Sequence, residues 1–580
     1  MNYFLQSHSC HPSSARPNTV PQFQTFDPHA PPLQPSPSPL IPKAWDTLLA
    51  QYPGNLPQIL QGIVRHGCLL GYTGPETFIL SKNLQSATLD PDTITTKLYD
   101  DLQRGRVIRI EPKFPYISSP LGLVPKHDGG FRRIHHLSHP LTHSVNFFIL
   151  EAFSSLQYAS FQDILDMVIQ AGKGCILIKK DIQDAFRNIA ISPAAYWLLG
   201  FRWDGEYYSE TCLPFGLSTA PFLFNLFSEA FHWILESWLH IDLVQHLLDD
   251  FVFAIPRALA TPQYVSQINL SYKQLTDALG LPRNDKKDAQ GTTVTVFGIE
   301  IDTIRMIARL PEDKLKRAII ITAQVLEHRT MTLEQAQRVG GYLTFCARVV
   351  QLGWVYMRKI WNFIHSFPPS ANIHMKRRYP PEIKQDLQWW NHLLPRHNGV
   401  IFFDSATRRK VHLFTDASHQ GMGGFFCAGG HWPSYVESLP QQDAFQASMD
   451  IDPADGEFDI NPFELGAILL ALRRWGFEWK CHQIIVHTDS NTAATGLTKH
   501  TLRGASNPVL RQILLLAAEL DIVLTPYWIP GAENQLADAL SRFDTKTLAN
   551  LCPHWQIENP SNSMILRPSG FSLLEISQPL

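Results

Sequence analysis

The chain has 580 residues, of which 44% are hydrophobic and 17% are charged, a composition typical of a globular protein with several domain cores. It has no apolar run of the roughly 18–20 residues that a membrane span needs, and its N-terminus shows no secretion signal. Its eight cysteines include no C-x-x-C pair. These features argue against a membrane protein, a disulfide scaffold and a zinc ribbon, and they predict an intracellular location.

The net charge of −3 hides an uneven distribution. Residues 303–410 contain 18 Lys and Arg against 7 Asp and Glu. A basic middle of this kind favours a nucleic-acid partner, although a solvated helical face gives the same pattern.

Residues 1–42 contain ten prolines and little apolar periodicity, which predicts a disordered arm. A helical segment follows over 43–103, with its clearest pattern from Trp45 to about Tyr72. From 104 to 302, strand-like runs alternate with helices. The runs that predict strands are VIRIEP (107–112), CILIKKD (175–181), HLLDDFVFAI (246–255) and TVFGIEID (295–302).

The second half of the chain is helical at first and then mixed. Residues 219–238 predict a long buried helix, and 311–366 are mostly helical. A loop rich in Pro, Lys and Arg follows near 367–381. From 411 onward, strands alternate with helices, the pattern of an α/β domain.

Three aspartates between 104 and 302 form a first acidic group. The strand ILIKKD ends on Asp181, and two apolar runs meet at Asp249 and Asp250, which predicts a hairpin with an acid pair at its tip. Nucleotide transfer to a 3′-hydroxyl uses two Mg²⁺ ions about 3.5–4 Å apart, held by oxygen ligands from separate segments. Aspartates on adjacent strands would supply these ligands, while a solvated turn is the alternative interpretation of an Asp-Asp pair.

The blocks around these acids resemble the motifs of retroelement reverse transcriptases over roughly residues 105–302. KKDIQDAFRNIAI, LPFGLSTAPFLFN, LLDDF and LGLPRNDKK…VFGIEID follow in the order and spacing of that family. FRRIHHLSHP, LLGFRWDGEYYSETCLPFGL and GYTGPE resemble its DIRS-like retrotransposon group. The resemblance implies a right-hand polymerase with fingers and palm over 104–302 and a helical thumb over 303–370.

The resemblance also implies roles for single residues. Asp181, Asp249 and Asp250 would be metal ligands for two Mg²⁺ ions, with Mn²⁺ as an alternative. Lys287 would protonate the leaving pyrophosphate, although its neighbour Lys286 could do the same. The expected nucleotide and primer contacts are Lys126 and Arg132 over the triphosphate, Phe186 as a steric gate against a 2′-hydroxyl, Phe215 and Gly216 in the nucleotide pocket, and Phe297 and Gly298 in the primer grip.

Four later acids form a second group. Strands containing HLFTDAS and IIVHTDS end on Asp416 and Asp489, and helices beginning in NPFELGAILLAL and GAENQLADALSR carry Glu464 and Asp538. The two-metal argument applies again, now with water as the nucleophile. An alternative for Glu464 is structural, because Asn461 as N-cap and Glu464 at N3 would form a capping box.

The order D…E…D…D within these motifs resembles the ribonuclease H domain of retrotransposons across about 411–545. It implies two further Mg²⁺ ions and hydrolysis that leaves a 3′-hydroxyl and a 5′-phosphate. WIPGAEN lacks the histidine of the retroviral form. Residues 371–410 would be a connection, and 546–580 a C-terminal tail.

The sequence thus predicts a multidomain α+β and α/β protein: a right-hand polymerase (fingers, palm, thumb) followed by a ribonuclease H-like α/β domain. The predicted activities are RNA- and DNA-directed DNA synthesis and cleavage of RNA in RNA–DNA hybrids. The implied partners are an RNA template, a DNA primer, the hybrid, dNTPs and a separately encoded recombinase. An inactive or host-adopted nucleic-acid-binding descendant is the alternative, against which the seven intact carboxylates argue.

Overall fold

The computed structural model of the chain describes residues 25–125, 129–154, 156, 158–350, 352–401, 408–428, 439–448 and 459–555. These residues divide into two compact units. The N-terminal unit runs to Phe297 and includes Ile301–Arg305, and the C-terminal unit comprises Gly298–Glu300 and the chain from Met306. In the described part of the chain, no helix is long and apolar enough to cross a membrane.

The N-terminal unit is a mixture of helices and short strands. Its helices are α1 (Pro42–Leu48), α2 (Leu56–His66), α3 (Gln85–Leu89), α4 (Pro91–Gln103), α5 (Phe161–Ala171), α6 (Ala220–Leu239) and α7 (Pro262–Leu279). Its strands are β1 (Phe78–Leu80), β2 (Val107–Arg109), β3 (Tyr116–Ser118), β4 (Leu121–Pro125), β5 (Phe131–His135), β6 (Ile176–Asp181), β7 (Gly200–Trp203), β8 (Glu206–Glu210), β9 (Val244–Leu247), β10 (Asp250–Ile255), β11 (Ala289–Gly291) and β12 (Thr293–Val296). The next strand, β13 (Ile299–Asp302), lies where the two units divide.

Apart from β12, the strands of this unit form a five-stranded sheet (β1-β3-β7-β8-β2), a hairpin (β4-β5) and a four-stranded sheet (β11-β6-β10-β9). Helix α6 carries the long buried segment that the sequence predicted. It begins with a proline in its first turn, where a missing N–H is harmless, and ends at His240 in the left-handed conformation. Its Phe231 packs edge-on against Phe251 of β10 at 5.0 Å, which anchors the four-stranded sheet on the apolar core.

The prediction of a disordered arm over 1–42 is wrong for the described residues 25–41. The Leu33 N–H donates to the Arg65 carbonyl (2.8 Å), and the Ile41 N–H donates to the Leu279 carbonyl (3.1 Å). Leu40 is 5% exposed. Backbone hydrogen bonds and the buried side chain of Leu40 therefore attach this largely exposed, proline-rich segment to the rest of its unit. Residues 1–24 lie outside the described part of the chain.

Two predicted elements are interrupted by turns. The helical pattern from Trp45 to Tyr72 forms α1 and α2, because Pro53 and Gly54 lie between them. The predicted strand 295–302 is divided by Phe297 and Gly298, whose φ values of 50° and 78° are left-handed. Two successive left-handed residues reverse the chain and cannot continue a strand.

The C-terminal unit is helical in its first part and α/β in its second. Its helices are α8 (Glu312–Leu326), α9 (Leu333–Cys346), α10 (Arg358–His365), α11 (Pro381–Arg396), α12 (Asn461–Trp475), α13 (Asn491–Lys499), α14 (Ser506–Glu519), α15 (Gln535–Ser541) and α16 (Thr545–Leu551). Its strands are β14 (Ile307–Arg309), β15 (Thr330–Thr332), β16 (Lys376–Arg378), β17 (Val400–Ile401), β18 (Lys410–Ala417), β19 (Gly421–Ala428), β20 (Ala444–Ser448), β21 (Gln483–Thr488) and β22 (Val523–Trp528).

A five-stranded sheet organises the second part of this unit, in the order β20-β19-β18-β21-β22. Strands β18, β21 and β22 are parallel, whereas β19 and β20 are antiparallel to their neighbours. The alternation matches the sequence pattern, apart from β20, which the sequence did not indicate. Because parallel strands end at one edge of a sheet, the ends of β18 and β21 bring Asp416 and Asp489 to the same edge.

Candidate active sites

The first acidic group lies at one end of the four-stranded sheet. Antiparallel pairing of β6 with β10 places Asp181 directly opposite Asp250. The Ile182 N–H donates to the carbonyl of Asp249 (3.0 Å), so the backbone ties the hairpin tip to the end of β6. Asp181 is 3% exposed. Three carboxylates from two adjacent strands therefore lie at one edge, as the sequence predicted.

Burial and mutual repulsion disfavour ionisation of the acid pair. Burial, followed by the charges of Asp250 and Asp181, raises the pKa of Asp249 to about 6. Burial also raises the pKa of Asp250, even though the Lys179 ammonium lies 3.1 Å from its carboxylate. Closely spaced carboxyls that resist ionisation are typical of sites that a cation would neutralise.

Lys287 contacts the first group directly. Its Nζ lies 2.9 Å from Oδ2 of Asp181. Burial alone would lower the pKa of Lys287, but the hydrogen bond and charge of Asp181 outweigh it and raise that pKa. The Asn284 N–H donates to the Asp181 carbonyl (3.0 Å), which places the Lys287 turn beside β6. Among the described residues, Lys287 rather than Lys286 makes this contact.

Three of the expected nucleotide-pocket residues form a stack. The rings of Phe186 and Phe215 have centroids 5.6 Å apart, and the Arg132 guanidinium carbon lies 4.4 Å from the Phe215 centroid. Gly216 has φ 115°, and a Cβ there would lie 2.0 Å from the His135 carbonyl oxygen. Glycine is therefore required at this close approach. The fifth expected residue, Lys126, lies outside the described residues.

The second acidic group converges more tightly. Asp416 ends β18, Glu464 lies in α12, and Asp489 follows β21; one ligand atom from each lies within 4.8 Å of the others. Among the described residues this is the one set of three or more such side chains that is so closely grouped. The Asp181, Asp249 and Asp250 carboxylates are not grouped this tightly, and Lys287 and Lys179 contact two of them.

The donor set fits a divalent cation. Burial, and then the charges of Asp416 and Asp489, raises the pKa of Glu464 to about 9. Burial raises the pKa of Asp416 to about 6, although Ser541 donates a hydrogen bond to it. The buried Oε2 of Glu464 has no hydrogen-bond partner among the described residues. Hard oxygen atoms that are buried, crowded and unpaired are the ligands that Mg²⁺ and Mn²⁺ prefer.

Asp538 lies outside the tight set: its Oδ1 pairs with Nε of Arg542 at 2.6 Å, and its side chain is 43% exposed. The alternative interpretation of Glu464 as part of a capping box is wrong, because α12 begins one residue earlier than expected, with Ile460 as N-cap and no side-chain cap. The Glu464 carboxylate faces the other acids instead.

Sequence reasoning missed three polar residues around this set. The Ser541 hydroxyl donates to Oδ2 of Asp416 (2.5 Å), the buried Asn534 donates from Nδ2 to the Thr415 carbonyl (3.0 Å), and Arg542 pairs with Asp538. All three residues belong to the segment NQLADALSR (534–542). Ser541 and Arg542 follow Asp538 by three and four residues, the spacing of one helix face, which could have indicated them.

Residues 124–301 match the family model for reverse transcriptase (RNA-dependent DNA polymerase). This region is a reverse transcriptase domain. The match includes Asp181, Phe186 and the Asp249–Asp250 pair, and it ends before the second acidic group. No curated protein matches the chain.

Several solved structures share partial likeness with the chain. The foamy viral protease-reverse transcriptase dRH in complex with ds DNA aligns with TM-score 0.46 and 18% identity, covering 79% of this chain and 72% of that chain. The foamy viral protease-reverse transcriptase in complex with RNA/DNA hybrid aligns with TM-score 0.45 and 17% identity, covering 79% of this chain and 56% of that chain. The same protein in complex with dsDNA aligns with TM-score 0.44 and 18% identity, covering 79% and 86%.

Proposed function

We propose that the chain is an RNA-directed DNA polymerase that also copies DNA templates. The observation that carries the proposal is the placement of Asp181 opposite Asp250, next to Asp249, inside the reverse transcriptase domain. These carboxylates would hold paired Mg²⁺ ions, which supply activation of the 3′-hydroxyl and neutralisation of phosphate charge. Binding would displace the Lys179 and Lys287 ammonium groups from their carboxylates.

The remaining residues would orient the nucleotide. The Arg132 guanidinium would bind the triphosphate as a planar fork. Phe186 would occupy the space of a 2′-hydroxyl and thereby select deoxynucleotides. Lys287, protonated beside Asp181, would donate a proton to the leaving pyrophosphate. Phe297 and Gly298 form a turn that would contact the primer.

We propose that the C-terminal unit hydrolyses the RNA strand of RNA–DNA hybrids. The supporting observation is the Asp416–Glu464–Asp489 set within 4.8 Å, with Asp538 adjacent. These oxygens would hold Mg²⁺ ions that activate a water molecule. Arg542 would release Asp538 when hybrid and metal bind.

One assay tests both activities. With Mg²⁺, a primed RNA template and dNTPs, the protein should extend the primer and cut the RNA. Asp249→Asn should abolish only extension, and Asp489→Asn only cleavage. Full retention of both activities by both variants would refute the assignments, and a binding-only descendant would show neither activity in the unsubstituted chain.

We also propose a DIRS-like retrotransposon origin, which the GYTGPE and FRRIHHLSHP blocks support. A tyrosine recombinase would then be encoded separately. Sequencing the reading frames beside this gene tests the assignment, and an integrase-encoding frame with no recombinase would contradict it.

A further inference from the structure

Four charged side chains, buried or largely buried, form a closed ring of ion pairs, here called the ionic ring: Asp101, Arg133, Arg187 and Glu210. Arg133 contacts Glu210 at 2.8 Å and Asp101 at 2.5 Å. Arg187 contacts Glu210 at 2.7 Å and Asp101 at 3.2 Å. Each carboxylate therefore bridges both guanidinium groups, and the ring carries no net charge.

The ring is charged despite its burial. The side chain of Glu210 is 1% exposed, and those of Arg133 and Arg187 are 7% and 6% exposed. Burial alone would raise the pKa of Glu210, but Arg133 and Arg187 outweigh it and hold that pKa below its usual value. Paired, hydrogen-bonded charges of this kind have defined geometry, because planar guanidinium forks match carboxylates in few orientations.

Each basic member of the ring is the chain neighbour of a pocket residue. Arg133 follows Arg132 in β5, and Arg187 follows Phe186 in the turn after β6. Glu210 ends β8, five residues before Phe215. The pocket stack of Arg132, Phe215 and Phe186 and the ionic ring are thus carried by the same three segments. Asp101 lies on a fourth segment, α4, and completes the ring.

We propose that the ionic ring is a positioning device that sets the distance between the triphosphate-binding Arg132 and the steric gate Phe186, and so determines deoxynucleotide selectivity. This inference rests on the proposed polymerase function. A gate discriminates only while its ring stays fixed relative to the nucleotide, and a displacement of about 1 Å can cost up to a hundredfold in rate. No member of the ring belongs to either acidic group.

The decisive variant is the double substitution Arg187→Gln/Glu210→Gln, which leaves Arg133 and Asp101 as a neutral pair. We expect the KM for dNTPs to rise and the dNTP-over-rNTP ratio of kcat/KM to fall, each by about tenfold, with a smaller change in kcat. The matched control is Arg65→Gln/Asp46→Asn, which removes another ion pair of the same unit and should leave these constants unchanged. Arg187→Lys keeps the positive charge but removes the planar guanidinium that contacts both carboxylates. It should give an intermediate loss of selectivity.

A second measurement, amide hydrogen exchange, does not require polymerase activity. Amide hydrogen exchange of the free protein should accelerate in residues 131–135 and 186–189 of the double variant, and in neither segment of the control. If the unsubstituted protein extends no primer, the polymerase proposal fails, while the exchange experiment still decides whether the ring positions these segments. Unchanged exchange and unchanged selectivity in a folded Arg187→Lys or double variant would overturn the inference.

Discussion

Gly216 lies where the nucleotide pocket meets the end of β5, and its backbone leaves no room for a side chain. A Cβ at this position would lie 2.0 Å from the His135 carbonyl oxygen, a backbone atom that cannot rotate away. Its φ of 115° is also left-handed. Any side chain here must therefore shift β5, which carries Arg132, relative to Phe215.

We expect Gly216→Ala to lower kcat/KM for dNTPs by about tenfold or more, because displaced pocket groups lose transition-state contacts. Gly205→Ala is the matched control, since Gly205 also has a positive φ (79°) but faces open space. Single-nucleotide extension kinetics of both variants provide the measurement. Equal losses in the two would mean that backbone strain, and not the clash with His135, is responsible.

Glu464 gives a pH-dependent prediction. Burial and the neighbouring carboxylates raise its pKa from the usual 4.5 to about 9, so between these values the folded state keeps a proton that the unfolded chain has lost. Stability without metal must then fall as pH rises through this window. Glu464→Gln should remove that decline and be more stable than the unsubstituted chain at pH 8 by roughly 1–3 kcal/mol.

Urea unfolding at pH 5 and pH 8 in the presence of EDTA measures the effect. Glu478→Gln, which removes an exposed carboxylate of the same unit, serves as the control substitution. Added Mg²⁺ should stabilise the unsubstituted chain more than Glu464→Gln at pH 8, because the cation replaces the proton. A Glu464→Gln variant that loses stability as steeply with pH as the parent would contradict the prediction.

At the scale of elements, the β9–β10 hairpin carries the acid pair on a strained turn. Leu248 and Asp249 connect the strands, and Leu248 has φ 55°. A leucine in the left-handed region costs about 1–2 kcal/mol, so the turn conformation must be held by its surroundings. Such strain is typical of functional sites, and here it aims Asp249 toward the end of β6.

We expect Leu248→Gly to leave the unfolding free energy within about 1 kcal/mol of the parent, since relief of strain offsets the lost side chain and added flexibility. Leu247→Gly, at the adjacent and equally half-buried position in regular strand conformation, should destabilise by about 1–2 kcal/mol. Thermal or urea unfolding of the Leu248→Gly and Leu247→Gly variants measures the two changes in unfolding free energy. A larger loss in Leu248→Gly would show that its side-chain packing dominates.

At the scale of the whole molecule, helices α8 to α11 and the five-stranded sheet of the α/β part belong to one compact unit. Arg511 of α14 contacts Asp386 of α11 at 2.8 Å, and Asp386 is fully buried. Arg511 also lies 4.6 Å from the Tyr356 ring centroid. A buried charge pair thus joins helices that are 125 positions apart in the chain.

Arg511→Met should lower the unfolding free energy of the C-terminal unit by about 3 kcal/mol, because it leaves the Asp386 carboxylate buried without a partner. Hydrogen exchange should accelerate in α11 and α14 together. Arg473→Met, which removes an exposed hydrogen bond of α12 to Gln512, is the control. Faster exchange confined to α14 would mean that the two helices are not coupled through this pair.

The sequence by itself determined the strands that carry the acids, the long buried helix and the identity of the acids, because apolar periodicity and motif spacing are local properties of the chain. It identified Asp181, Asp249 and Asp250 as neighbours, since a hairpin and one paired strand fix them. Only the tertiary structure decided that residues 25–41 are hydrogen-bonded to the rest of their unit, that Glu464 faces Asp416 while Asp538 pairs with Arg542, and that Asp101, Arg133, Arg187 and Glu210 close a ring. These outcomes depend on contacts between residues far apart in the chain and on the balance between desolvation and ion pairing, neither of which has a local signature.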